Sequence, residues 1–200
     1  LQRPTKVISE GLMNDHGFIY TANNTLYGFG NNNLGQIGIK NGLNTNNNIK
    51  FASIKYAFDS PINQIKCGGG CTLFLTSKGN VYGVGKFKGF NRKYYNKGGI
   101  HNIINTNNIR KIGCCDETGF ALDSRNVLKG FGKHISKYGQ YYKDIVTIDN
   151  LVIDFDCGGT HIGLLSKYRD VSMIGSNRHW KCGIKYSKYC KKNKININKT

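Results

Sequence analysis

No run in this sequence approaches the roughly 18 consecutive apolar residues of a membrane-spanning helix. No stretch combines a charged start, an apolar centre and a small-residue cleavage site, so no secretory leader is expected. Proline is nearly missing, at two residues in 200. Acidic side chains are scarce too, with 11 Asp and Glu against 29 Lys and Arg. The seven cysteines have neither the even count nor the spacing of a small disulfide scaffold. Reduced thiols and a nuclear or cytoplasmic setting are therefore expected, with no membrane partner.

What is abundant points the other way from a helical protein. The chain holds 26 Gly, 12 Tyr and 10 Phe among many short apolar runs, which predicts strands joined by tight turns. The formal net charge is +18, which attracts nucleic acid, anionic membranes or acidic protein surfaces. A genome biased toward A and T would raise Lys, Asn, Ile and Tyr together, and Asn-rich stretches such as "NNTLYGFGNNN" fit that second reading.

The stretch "CTLFLTSKGNVYGVG" returns along the chain. "HGFIYTANNTLYGFG" ends at Gly28 and Gly30, and the quoted stretch ends at Gly83 and Gly85. "TGFALDSRNVLKGFG" ends at Gly130 and Gly132, and "HIGLLSKYRDVSMIG" at Met173 and Gly175. The four align without a gap at spacings of about 55, 47 and 43 residues, within the range of repeat architectures. Each copy reads as an apolar strand, a short polar turn and a second strand, which is a β-hairpin. A lone hairpin is unstable in water. Stretches such as "FASIKYAF" and "DIVTIDNLVIDF" supply further strands, giving about four per unit, the content of a propeller blade. The expected class is all-β, with four blades over approximately 5–40, 50–90, 100–140 and 145–185. Residues 186–200 are expected to form a basic, disordered tail.

The repeat decides how cysteines and glycines are read. Cys67, Cys114 and Cys157 are equivalent, so a ring would spread them over separate blades rather than around one metal ion. Cys71, His16 and His161 are likewise equivalent to one another, and Cys182 aligns with the apolar Ile37. A Cys in such a slot behaves as a small buried hydrophobe. A phosphate-binding loop needs glycines leading into a helix. Here "GNVYGVG" runs through a strand, so Gly28, Gly30, Gly83, Gly85, Gly130 and Gly132 are expected where another backbone or side chain crowds them. Gly68, Gly69, Gly158 and Gly159 are expected to bend the chain into the hairpin.

The repeats resemble those of the regulator of chromosome condensation family. "CGGTHIGLLS", "CGGGCTLFLTSKGNVYGVG" and "LYGFGNNNLGQIG" carry the resemblance, the last through its Gly-Gln-x-Gly ending, and "GSNRHWKCG" is a worn copy of it. The aromatic partner of the family's Trp-Gly pair is Phe29, Val84, Phe131 and Ile174 here, and Thr118 replaces the histidine in the third copy. The family usually closes seven blades. Four copies, in a chain that opens on Leu1, imply either a longer protein or a ring completed by a partner or by another copy.

The resemblance implies binding rather than bond-making chemistry, without a cofactor. Its members include a nucleotide exchange factor for a small GTPase that docks on nucleosomes, adaptors and accessory domains of ubiquitin ligases. The protein partner it implies is thus a small GTPase or another regulated protein. No residue is assigned a catalytic role. His16, His101, His134, His161 and His179 lack a motif that pairs them with a nucleophile, and Ser166 is not on a nucleophile elbow. The contact residues expected for nucleic acid or an acidic partner are basic. "KCGIKYSKYCKKNKININKT" holds Lys188, Lys191, Lys192 and Lys194 between tyrosines, and "KFKGFNRKYYNK" holds Arg92 and Lys93. Lysines pair with phosphates and tyrosines stack on bases.

Overall fold

The computed structural model describes residues 4–8, 16–39, 48–87, 99–133, 141–178, 182–183 and 189–195. They form four antiparallel sheets of four strands, each paired in chain order. Blade 1 holds β1 (Pro4–Ile8), β2 (His16–Thr21), β3 (Leu26–Asn31) and β4 (Asn48–Ile54). Blade 2 holds β5 (Ile62–Cys67), β6 (Cys71–Thr76), β7 (Val81–Gly85) and β8 (His101–Ile104). Blade 3 holds β9 (Ile109–Cys115), β10 (Thr118–Asp123), β11 (Leu128–Lys133) and β12 (Tyr141–Asp149). Blade 4 holds β13 (Val152–Cys157), β14 (His161–Ser166), β15 (Val171–Ser176) and β16 (Tyr189–Ile195). β5 touches β9 and β9 touches β13, which places the first strands of blades 2, 3 and 4 toward the centre and their fourth strands at the rim.

The hairpins follow the aligned repeats. Cys71 opposes Gly85, Thr118 opposes Gly132, His161 opposes Gly175 and His16 opposes Gly30. The blade boundaries are shifted from those expected. Residues 48–54, 101–104 and 141–149 each close the blade before them as its rim strand, because a hairpin pairs with the strand that follows its second arm. The same correction applies to part of the basic tail. Residues 189–195 pair with β15 as the rim strand of blade 4, with Lys194 opposite Ser172 and Asn193 opposite Met173.

The core lies between blades. β6 and β10 are buried at every position, so they show no polar alternation. Both faces of a middle blade press on a neighbour. One face of β6 carries Leu73 and Leu75, which pack with Ala121 and Phe131 of blade 3. The other carries Phe74, which packs with Phe18 and Tyr20 of blade 1. Phe120, Leu122 and Leu128 meet Ile162 and Leu164 in the third joint.

The two glycines of each repeat do different work. The first is a packing site: Ile37 lies on Gly28 and Ile103 on Gly83, where a Cβ would stand. The second is also conformational. Gly30, Gly85, Gly132 and Gly175 have φ of 94°, 86°, 96° and 121°, a region that favours glycine. That twist accompanies a register shift against the rim strand between Gly28 and Gly30 and between Gly130 and Gly132. At the hairpin tips, Asn24, Gly79, Asn126 and Arg169 occupy equivalent left-handed positions.

Candidate functional site

The residues that make the repeat recognisable are joints between blades. His16 is buried, and its Nε2 lies 2.8 Å from the Thr72 hydroxyl of blade 2. Thr72 in turn donates to the carbonyl of Gln36 at 2.9 Å. The hydroxyl proton is thus engaged, and His16 donates from Nε2. Gln36 is 1% exposed, and its Oε1 accepts the Leu34 amide at 2.8 Å. The Gly-Gln-x-Gly ending therefore clamps blade 1 to blade 2.

Its worn copy in blade 4 has the same geometry. Asn32 Oδ1 accepts the Ile37 amide at 2.9 Å, and Asn177 Oδ1 accepts the Cys182 amide at 2.9 Å. Ile37 and Cys182 are both fully buried plugs, as their alignment implies. Sequence reasoning passed over Asn32, Asn177 and Thr72, although the first two stand at matching positions of the two copies.

Cys67, Cys114 and Cys157 lie in β5, β9 and β13, one per blade. Cys67 and Cys114 are buried, whereas Cys157 is only half-buried, a departure from equivalence. Staggered cysteines do meet across the joints. The Cys114 thiol contacts that of Cys71, and the Cys115 thiol contacts that of Cys157. Cys114 Sγ also donates to the Lys66 carbonyl at 3.4 Å and Cys115 Sγ to the His161 carbonyl at 3.4 Å. Among the described residues no three His, Cys, Asp or Glu side chains are arranged to hold a metal ion.

Burial, and then the Cys71 contact, push the Cys114 thiol well above its ordinary range. The Cys157 contact, and then burial, do the same to Cys115. Raised folded-state values favour the protonated thiols in the native state. Their contribution is whole below about pH 8.5, the unfolded value, and is lost as pH rises beyond it. Under reducing conditions, the melting temperature should fall more steeply from pH 8 to 10 in the parent than in Cys114→Ala/Cys115→Ala. Parallel pH profiles would refute this account.

The described histidines do not pair with one another. His16, His101 and His161 stand in three different blades, and His134 and His179 lie outside the described residues. The Ser166 hydroxyl accepts the Tyr168 and Asp170 amides at 3.1 and 3.3 Å, closing the hairpin tip. Polar side chains of the first strands also serve the joints. Gln64 donates to the Arg110 carbonyl at 3.0 Å and accepts the Ile112 amide at 3.2 Å, and Lys111 pairs with Asp154 at 2.6 Å.

In each blade the connection from third to fourth strand leaves and returns on the same face of the stack. None of these four segments contains Asp or Glu. The one between β7 and β8 holds five Lys and Arg, and the one between β15 and β16 holds four. Their described ends are pinned: Phe87 and Ile100 are buried at the two ends of the first, and Cys182 is buried within the second. Lys86 pairs with Glu117 of blade 3 at 3.3 Å. Arg92, Lys93 and Lys188 lie outside the described residues, whereas Lys191, Lys192 and Lys194 are in β16.

The fold is that of four β-propeller blades like those of the regulator of chromosome condensation propellers. The chain superposes on human WBSCR16 with a TM-score of 0.76 at 20% identity, covering 96% of itself and 52% of that protein. On yeast RCC1 (Prp20), in its complex with Kap60, the TM-score is 0.79 at 16% identity, over 96% of this chain and 49% of that one. A second structure of Prp20p from Saccharomyces cerevisiae, a protein with binding properties toward Gsp1p and histones, gives 0.72 at 13% identity over 96% and 51%. In sequence, 79 residues are 33% identical to Protein RCC2 homolog of Danio rerio, which is 40% of this chain and 15% of that protein. No family model matches. The chain thus spans about half the length of these propellers. Among the described residues, no helix is long and apolar enough to cross a membrane.

Proposed function

We propose that this chain is a non-catalytic interaction module that holds an acidic protein surface on the face bearing its long connections, and that a small GTPase is the partner it regulates. The observation that carries the reading is the composition of two of those connections, between β7 and β8 and between β15 and β16, which hold five and four Lys and Arg and no acid. The residues of the repeat signature are engaged in holding blades together. Recognition thus falls to segments that vary between copies, as loops on a rigid scaffold do. The binding properties of Prp20p toward Gsp1p and histones support a protein partner.

A second reading is favoured by one feature. Between Lys181 and Lys194, lysines alternate with Tyr186 and Tyr189, which suits nucleic acid or chromatin.

Replacing Lys188, Lys191 and Lys192 with Gln removes charge while keeping a long polar side chain, so the melting temperature should stay nearly unchanged. Affinity for the acidic partner should fall. With duplex DNA, the slope of log affinity against log salt should flatten by roughly 0.9 for each phosphate that the variant no longer neutralises. Nucleotide release from a panel of small GTPases separates the two readings. Accelerated release that the triple variant loses supports the first. DNA binding without any effect on release supports the second. A triple variant that binds every acidic partner as tightly as the parent would remove both.

A further inference from the structure

In the joint between blades 2 and 3, the slot that holds His16 in blade 1 holds Cys71. The slot of its partner Thr72 holds Gly119, which has no hydroxyl to offer. What Cys71 meets instead is a second thiol. It is fully buried, and it lies against Cys114 of β9, which is 9% exposed. Each sulfur also reaches into the other's blade. Cys71 Sγ donates to the Asp116 carbonyl of blade 3 at 3.5 Å, and Cys114 Sγ to the Lys66 carbonyl of blade 2 at 3.4 Å. Both residues belong to a joint with a further blade on either side.

The turn between β5 and β6 covers the pair closely. A Cβ on Gly68 would stand 3.0 Å from the Cys71 sulfur and 3.2 Å from the Cys114 Cβ. Gly68 is buried, and Gly69 beside it is half-buried. The Gly69 amide donates to the Asp116 carbonyl at 2.7 Å, the same oxygen that the Cys71 thiol approaches. Opening this glycine turn admits a small solute to the sulfurs while the blades stay stacked, as local openings of a folded chain do.

We propose that Cys71 and Cys114 are an oxidative cross-linking site, where a peroxide joins the two thiols into a disulfide that ties blade 2 to blade 3. One sulfur, as its thiolate, attacks hydrogen peroxide, and the O–O bond breaks to leave a sulfenic acid and hydroxide. The second sulfur then attacks the first, the S–O bond breaks, and water leaves. Two thiols and one hydrogen peroxide thus become one disulfide and two waters, and a thiol reductant reverses the change. Burial holds Cys114 protonated, which makes the pair slow to react and reserves the link for a sustained oxidant load. The link would fix the joint at the root of the β7–β8 connection, where Lys86 of blade 2 pairs with Glu117 of blade 3 at 3.3 Å. The inference does not rest on the acidic partner, since no partner enters the reaction.

Peroxide treatment of the parent chain, followed by digestion without reductant and mass spectrometry, tests it. Cys67 is close in sequence to Cys71, and Cys115 is adjacent to Cys114, with its own thiol neighbour in Cys157. The treatment is therefore repeated on Cys67→Ala/Cys115→Ala, which keeps the proposed pair. Expected in both proteins is an intramolecular link from Cys71 to Cys114 that dithiothreitol dissolves. The linked parent should melt roughly 5–15 °C higher than the reduced parent, and Cys71→Ala should show no such rise. Sulfinic acid at either cysteine without a link overturns the inference. So does a link that joins two molecules, or one that leaves the melting temperature unchanged. If the double variant fails to fold, fragmentation of the parent's linked peptides assigns the sulfurs, and Cys67 or Cys115 in the place of either partner overturns it equally.

Discussion

Gly85→Val is expected to lower stability by roughly 3–5 kcal/mol, and the melting temperature by on the order of 10 °C. Two separate penalties meet at this residue. Its φ of 86° is one that a β-branched side chain adopts only under strain. An added Cβ would also press on the Gly70 carbonyl oxygen and stand 2.9 Å from the Gln36 Cα. Both neighbours are backbone, so neither yields by a change of rotamer. From sequence alone, crowding by another strand predicts only about 1–3 kcal/mol, the usual cost of overpacking. Gly183→Ala separates the two penalties. Gly183 has a φ of 69° with nothing within 4 Å of its would-be Cβ, so strain alone should cost it about 1 kcal/mol. An unchanged melting curve for Gly85→Val would show that the β7 terminus is not a joint.

Phe74→Ala should cost a comparable 3–5 kcal/mol. The ring is fully buried between blades 1 and 2. It meets Phe18 edge-on, at 5.3 Å and 85° between planes, and Phe58 at 5.4 Å. Truncation leaves a cavity bounded by two sheets whose backbones are held by their own ladders, so little collapse is available to fill it. Because folded domains are stable by only about 5–15 kcal/mol, this is a large share. Tyr168→Ala is the matching control. At 66% exposed on a hairpin tip, it should change stability by no more than about 0.5 kcal/mol. Chemical unfolding of the three proteins decides the matter, and equal midpoints for parent and Phe74→Ala would mean that the blades do not depend on this joint.

The candidate binding face was legible in part. The lysines between positions 181 and 194 were visible as a basic run, but their place was misread. A polar, charged stretch after the last recognisable glycine resembles a solvated tail. Only its pairing with β15 shows that 189–195 are a rim strand. The strands β4 and β12 are visible in the sequence as "FASI" and "DIVTID", but nothing local says which hairpin each one joins. Each pairs with the hairpin before it, so the blades end one strand later than the repeat spacing implies.

The hairpin is encoded locally. Apolar strand, polar turn and glycine pair are local requirements, set by side-chain alternation and by a φ that glycine alone adopts readily. They recur wherever the chain repeats them, even with Met173 in one glycine slot. How hairpins meet is set by the stacking of whole blades. That His16 donates to Thr72, that Gln36 offers its carbonyl to the same hydroxyl, and that Cys71 touches Cys114 all depend on residues 36 to 56 positions apart brought together by stacking. No spacing within one repeat encodes such contacts, because each depends on the angle at which one twisted sheet lies on the next.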